Sequence, residues 1–357
     1  MSDIEWLYNL KKKAPDFLKK IKGTKRKGFY HYSYTGDYYS ERIKWGLGNA
    51  VFFLKIIYTL KIEDLFKNEI ETAGEFIKSF QNKNGEFSDK LLSALSLPKS
   101  YSAALKKMNL DYLSKKYVNQ AETRQAISSL SLFGIKPNYD YLNFPQSENN
   151  IKQFLENLDW KLPWSAGSHF SHLLFFLSYS SLSNKETLIN CVIDWVKTIQ
   201  KDDGFWYQGA ASTQQKINGA MKIISGLKVA DKVTFDLPEK IIDTSLEAKN
   251  DKHACDNFNV AYILKYCSQL LGHSYRIDEI KNFMYNRLQL YKKYYFHEIG
   301  GFSFFENMAG NYYYNAKITK GKNEPDIHGT VMFLWGISVI AQVIGIEKEL
   351  DFREFVT

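Results

Sequence analysis

Cysteine, proline and linker-type sequence are all scarce in this chain of 357 residues. The three cysteines, Cys191, Cys255 and Cys267, are odd in number and show no CxxC spacing. That excludes a disulfide scaffold and predicts a reducing, cytoplasmic compartment. Seven prolines and no low-complexity stretch argue against a flexible tether between domains. No basic, then apolar, then small-residue pattern opens the chain, so no secretory leader is predicted. The longest apolar run, 331–346, is interrupted by Ser338 and Gln342, too short and too amphipathic to predict a membrane span. Gly-rich phosphate loops and nucleophile elbows are missing. Alternating β-branched runs between turns are nearly absent too, which leaves little room for strands.

What is present is a large apolar fraction, 45% hydrophobic and 16% aromatic, enough for a sizeable core. The formal charge of +8 is local. Residues 11–27 hold nine Lys or Arg against one Asp, and the rest of the chain is electrically balanced. Ile4, Trp6, Leu7, Leu10, Phe17, Leu18 and Ile21 interleave with these charges. This points to a basic helical segment over 1–30, ahead of a main domain over 31–357. Residues 4–27 suit a peripheral contact with an anionic membrane or other polyanion. The alternative is a solvated helical face covering one end of the domain. No nucleic-acid-binding module accompanies the patch, so no nucleic-acid partner is predicted.

A turn recurs along the chain. Phe80-Gln81-Asn82-Lys83-Asn84-Gly85-Glu86-Phe87 returns as Ile199-Gln200-Lys201-Asp202-Asp203-Gly204-Phe205-Trp206, and again without the Gln as Gly300-Gly301-Phe302-Ser303-Phe304. Repeats matter because one helical hairpin cannot bury its own apolar face, so several must pack together. Six apolar segments of helical length begin with polar residues, at about 44–60, 122–133, 168–182, 216–227, 256–271 and 326–344. More polar periodic stretches alternate with them at 2–21, 62–80, 149–158, 185–200, 238–248 and 275–293. Gly134, Gly272 and Gly345 follow apolar helix ends as C-caps would. The pattern predicts an all-α chain, an (α/α)6 toroid of helical hairpins. A plain α-solenoid is the rival, but it does not account for segments apolar on nearly every side yet polar at one end.

The spacing of Gln200, Asp203, Gly204 and Trp206 resembles the QW motif of squalene–hopene-type cyclases, and Gln81, Gly85 and Phe87 form a looser copy. The run Asp326-Ile327-His328-Gly329-Thr330 through Ser338 is similar to a helix opening in the β subunits of protein prenyltransferases, where a zinc-ligand His precedes a Thr. The chain therefore resembles the terpenoid-cyclase and protein-prenyltransferase superfamily over most of its length. The resemblance implies a toroid whose inner-helix starts converge on the mouth of a central cavity, with cyclase, transferase or lyase chemistry there.

Candidate site residues follow from those helix starts, where unsatisfied N–H groups and partial positive charge collect. His328, with Asp326 and Asp256, is the expected acid–base set, a carboxylate holding one imidazole nitrogen while the other exchanges a proton. Taken singly, Asp256 and Asp326 also read as helix N-caps. Expected substrate contacts are Glu122, Arg124, His169, His172, Lys216, Asn218, His253 and Asn259. Arg124 and Lys216 suit an anionic group. Trp45 is a candidate cavity wall, and its alternative is core. No cofactor is expected. The prenyltransferase zinc set would need a Cys two residues after Asp256, and Phe258 stands there. A zinc site of Asp256, Cys255 and His328 requires Cys255 to lie outside the helix, since adjacent helical positions diverge by about 100°. The acidic run of alkene-protonating cyclases is also altered, with His328 and Gly329 in place of two carboxylates. The expected function is an enzyme acting on an isoprenoid-like or other amphiphilic, in some cases phosphorylated, substrate. A carbohydrate-active hydrolase, lyase or epimerase and a non-enzymatic protein-binding toroid are the alternatives.

Overall fold

Why the chain is helical is visible in its two kinds of helix. The computed structural model describes residues 4–96 and 116–357. It divides into two compact units, one of residues 1–140, 288–338 and 347–355, the other of 141–287, 339–346 and 356–357.

The first unit opens with α1 (Glu5–Tyr8) and α2 (Leu10–Lys20). Leu10, Ala14, Phe17, Leu18 and Ile21 fall on one stripe and are fully buried, as a 3.6-residue period requires. The apolar residues that interleave with the basic run are therefore core of this unit, and burying Phe17 alone contributes about 1.5–3 kcal/mol. The lysines fan outward. Lys22 pairs with Glu69 at 2.8 Å and Lys11 with Asp351 at 3.2 Å, while Lys12, Lys19, Lys20, Lys25 and Lys27 are exposed. α3 (Leu47–Leu60) is buried on nearly every side and packs on α4 (Lys67–Lys78) and α5 (Lys116–Ser131). α4 is one-sided, burying Ile70, Ala73, Gly74, Phe76 and Ile77.

The second unit repeats the alternation. One-sided helices are α6 (Glu148–Glu156), α8 (Lys185–Lys197) and α10 (Pro238–Glu247), and α12 (Ile277–Lys292) runs mostly in this unit. The apolar ones are α7 (Pro163–Tyr179), α9 (Thr213–Val229) and α11 (Ala254–Leu270). α9 packs against both α7 and α11. It comes close to α7 because small residues meet. A Cβ on Gly167 would lie 2.9 Å from the Gly219 carbonyl oxygen, and the Ser171 and Ser225 hydroxyls sit 3.3 Å apart.

Two short antiparallel hairpins complete the first unit, β1 (Tyr295–Phe296) with β2 (Gly301–Phe302) and β3 (Tyr312–Tyr313) with β4 (Ala316–Lys317). Then come α13 (Ile327–Ile344), which passes into the second unit, and α14 (Glu347–Leu350). Among the described residues α13 is the one helix long and apolar enough to cross a membrane by length and composition. It has 18 residues, a mean hydropathy of 1.7 and 78% of that stretch buried inside the protein, as a core helix would.

The recurring turn is one structure used repeatedly. Gln81 bridges Phe87 and Gln200 bridges Trp206 in matching two-residue ladders. The Gln200 amide donates to Gly204 O at 2.8 Å and to Asp236 O at 2.6 Å; Gln81 donates to Gly85 O at 3.0 Å and Tyr139 O at 2.7 Å. Each Gln thus closes its own turn and ties it to the chain that follows. Gly85 and Gly204 both take φ near +84° (83 and 85), a conformation that side chains with a Cβ adopt only under strain. A further copy went unread in the sequence. Lys22 bridges Tyr30, with Gly28 at positive φ. These turns deliver chain to the helix starts: Asn49 Nδ2 donates to Tyr30 O at 2.8 Å, and the Thr123 and Thr330 hydroxyls accept from Phe87 N at 3.0 Å and Phe302 N at 2.9 Å.

Candidate functional site

In the first unit the start of α13 is fixed by Asp326. Its Oδ1 accepts from Gly329 N at 2.7 Å, and its Oδ2 from Phe304 N at 2.7 Å and Gly310 N at 2.9 Å. The carboxyl is fully buried, and that burial raises it to about 7 against the opposing pull of the amides. Gly329 is needed for this seat, because a Cβ there would lie 2.5 Å from Phe304 N and 2.7 Å from Ser303 O. The Asp326 oxygens are thus occupied by backbone donors, and the group that reaches His328 Nδ1 is the Tyr32 hydroxyl, at 3.2 Å.

His328 is half-buried within a box of rings. Phe52 stacks on it at 4.8 Å between centroids and 6° between planes. Phe304 lies tilted at 4.7 Å, and Tyr313 stands edge-on at 5.6 Å. α3 leaves room for Tyr313 through Gly48, where a Cβ would fall 2.8 Å from the tyrosine ring. Behind Tyr313 lie Tyr314, Glu122 and Arg124, whose charges and hydroxyls act on one another. Glu122 is buried and accepts from Asp89 N at 2.9 Å through Oε2. Burial first, and the nearby Asp89 second, hold its carboxyl well above the usual range. Asp89 clamps two helix starts, accepting from Gly46 N at 2.7 Å and Leu91 N at 3.1 Å. Arg124 is 7% exposed. The structure therefore places Glu122, Arg124, Asp326 and His328 of the expected set in one unit.

In the second unit Asp256 is the centre of a buried amide network. Its Oδ1 accepts from Asn218 Nδ2 at 2.8 Å and its Oδ2 from Gln214 Nε2 at 2.6 Å. Asn218 Oδ1 in turn accepts from Asn259 Nδ2 at 2.8 Å and Asn250 Nδ2 at 3.3 Å. His253 caps α11, its Nδ1 accepting from Asp256 N at 3.3 Å, with its Nε2 3.6 Å from Asp256 Oδ2. Burial pushes this imidazole below its ordinary value. Trp164 lies near-parallel to it at 6.2 Å. His169 and His172 stand edge to face at 5.7 Å on α7. Lys216 is spoken for: it pairs with Asp203 at 2.8 Å and lies 4.4 Å from the Tyr207 ring centroid. Its charge serves the recurring turn.

Trp45 belongs to the core at 1% exposure, its Nε1 donating to Ser40 O at 3.2 Å. Cys255 lies inside α11, so it and Asp256 diverge as helical neighbours do, and the condition for a Cys255 zinc ligand is not met. Among the described residues no group of three or more His, Cys, Asp or Glu side chains is placed to hold a metal ion. No disulfide joins the three cysteines. Comparison with protein-family models, with curated proteins and with solved structures gives no match to this chain.

Sequence reasoning missed Tyr32, Phe52, Phe304, Tyr313, Tyr314 and Asp89. One signal was available: Tyr314 and Asn315 both adopt positive φ, at 44° and 65°, the two central residues of a tight hairpin turn. A Tyr-Asn pair between Tyr313 and Ala316 marks that turn weakly.

Proposed function

We propose that the first unit carries the active site of an enzyme acting on an amphiphilic, isoprenoid-like substrate by acid–base chemistry at His328. The observation that carries this is the half-buried imidazole walled by Phe52, Phe304 and Tyr313, with Nδ1 held by Tyr32. An aromatic box favours an apolar or π-rich group beside the imidazole. With Nδ1 accepting from Tyr32, the exchangeable proton sits on Nε2, where it serves as general acid; the reverse tautomer makes Nε2 a base. Asp326 acts by position, holding the backbone on which His328 and Phe304 are mounted. The alternation of apolar and one-sided helices, with a repeated Gln-Gly-aromatic turn, supports an (α/α)6 toroid of the terpenoid-cyclase and prenyltransferase type. A cytoplasmic site of action fits the absence of a disulfide among the three cysteines. The exposed lysines of residues 12–27 suit contact with an anionic membrane surface, where such substrates reside.

The test is incubation of the protein with polyprenyl alcohols, phosphates and diphosphates, followed by mass spectrometry. Turnover that is lost in His328→Ala and strongly reduced in Tyr32→Phe supports the assignment. Turnover unchanged in His328→Ala removes it. A carbohydrate-active enzyme is the second reading, favoured by the Asp256–Asn218–Asn259–Gln214 network beside Trp164 and His253. Amide and carboxylate groups next to an indole are the usual furniture of a sugar subsite. Incubation with oligosaccharides and the Asp256→Asn variant tests it.

A further inference from the structure

Arg124 is a buried cation whose charge the described part of the chain does not balance. It is 7% exposed, its Nε has no hydrogen-bond partner, and no carboxylate among the described residues lies within ion-pair distance of it. Glu122 sits two positions earlier on α5, yet it is turned to Asp89. Among the described residues, Tyr313 and Tyr314 lie near enough to the guanidinium to act on it electrostatically.

A structural arginine looks different in the same chain. Arg287 is as deeply buried, 6% exposed, but Nη1 donates to Asn250 O at 3.2 Å and Asn257 Oδ1 at 3.0 Å, and Nη2 to Lys249 O and Ala248 O. The fold satisfies a buried guanidinium when it uses one for architecture. A buried charge left without a partner is strongly unfavourable, and an arginine fork is shaped for two oxygens of one anion.

We infer that Arg124, flanked by Tyr313 and Tyr314, is the seat for an oxyanion, a phosphate ester or a carboxylate, at the head of the ligand. This rests on the first unit being the ligand site, and it deepens that function by fixing the polar end of the substrate. Tyr313 separates the two ends of the site. Its ring faces His328, and its hydroxyl belongs to the anion seat. The anionic head is thus held on one side of Tyr313, while the apolar body lies against the half-exposed surface of His328 and Phe304.

The experiment is calorimetric titration of the full chain with dodecyl phosphate, dodecanoate and dodecanol below their aggregation limits, alongside thermal melting. Wild type is expected to bind one of the two anionic amphiphiles at least about tenfold more tightly than dodecanol, and the preferred head tells phosphate from carboxylate. Arg124→Met should lose that tenfold preference with dodecanol affinity unchanged, and should melt higher than wild type without ligand, because an unpaired buried charge is gone. Arg124→Lys should keep part of the preference. Equal binding of charged and neutral amphiphiles by wild type would overturn the inference. So would no anion binding at about 1 mM, or a lower ligand-free melting temperature in both Arg124 variants. Failures of the two ideas separate cleanly. Arg124-dependent anion binding in a protein that turns nothing over sinks the acid–base function and leaves the seat intact. Turnover lost in His328→Ala but kept in Arg124→Met does the reverse.

Discussion

Replacing Asp326 by Ala removes the acceptor for three buried backbone amides, those of Gly329, Phe304 and Gly310, at 2.7, 2.7 and 2.9 Å. An orphaned buried donor costs about 1–3 kcal/mol, and the lost N-cap of α13 is one of the three. Simple addition gives about 3–9 kcal/mol, and partial relaxation with water entry brings the expected loss to about 3–5 kcal/mol. The effect depends on pH in a definite direction. Burial raises the native carboxyl from 3.8 to about 7, so between roughly pH 4 and 7 the native state holds a proton that the unfolded chain has released. The stabilisation from that proton is fully present below about pH 4 and is lost as pH rises through about 7. The gap between wild type and Asp326→Ala should therefore be larger at pH 5 than at pH 8, shrinking steadily between them. Urea unfolding followed by circular dichroism at both pH values measures it. A difference below about 1 kcal/mol at pH 5, or a gap that widens with pH, would refute the account of Asp326 as a buried anchor.

Glu122→Gln should leave stability nearly unchanged at pH 5 and raise it relative to wild type at pH 8. Burial holds the Glu122 carboxyl well above the ordinary Glu range, so wild type loses stability as pH rises above that range; paired melts at the two pH values decide it. Gly329→Ala should cost about 1–3 kcal/mol, since the new methyl meets Ser303 and Phe304 backbone atoms that cannot swing aside. It should also depress any His328-dependent turnover, because Phe304 shifts with that backbone. Gln200→Ala should cost about 1–2 kcal/mol through two lost hydrogen bonds, and Gln81→Ala about 2–4 kcal/mol, because its Oε1 also accepts from Asn138 N and Tyr139 N. The double variant should be additive within about 0.5 kcal/mol, because the turns belong to different units, and non-additivity in chemical denaturation would count against that independence.

Much of the architecture was legible along the chain. The apolar stretch predicted at 44–60 is α3 at Leu47–Leu60, that at 256–271 is α11 at Ala254–Leu270, and that at 326–344 is α13 at Ile327–Ile344. The one-sided stretches at 238–248 and 275–293 are α10 and α12. The basic N-terminal run marks a helical segment in the sequence, and in the fold its stripe of Leu10, Phe17 and Ile21 is core. Helix periodicity and the Gln-Gly-aromatic turn are local properties. They depend on residues three to seven positions apart, so a one-dimensional string holds them.

Partnership between side chains is not local. The two acidic helix openers looked alike in sequence. In the fold Asp326 is taken up by backbone amides, whereas Asp256 gathers Asn218 and Gln214. Lys216 and Arg124 are equal candidates for an anion along the chain, yet Lys216 meets Asp203, whereas Arg124 has no carboxylate at ion-pair distance among the described residues. The Tyr32 hydroxyl meets His328 Nδ1 from 296 positions away. Local rules determined where the helices form and how their turns close. Packing decided which charges are compensated, because the energy of a buried polar group is set by the atoms that replace its water, and those atoms come from distant parts of the chain.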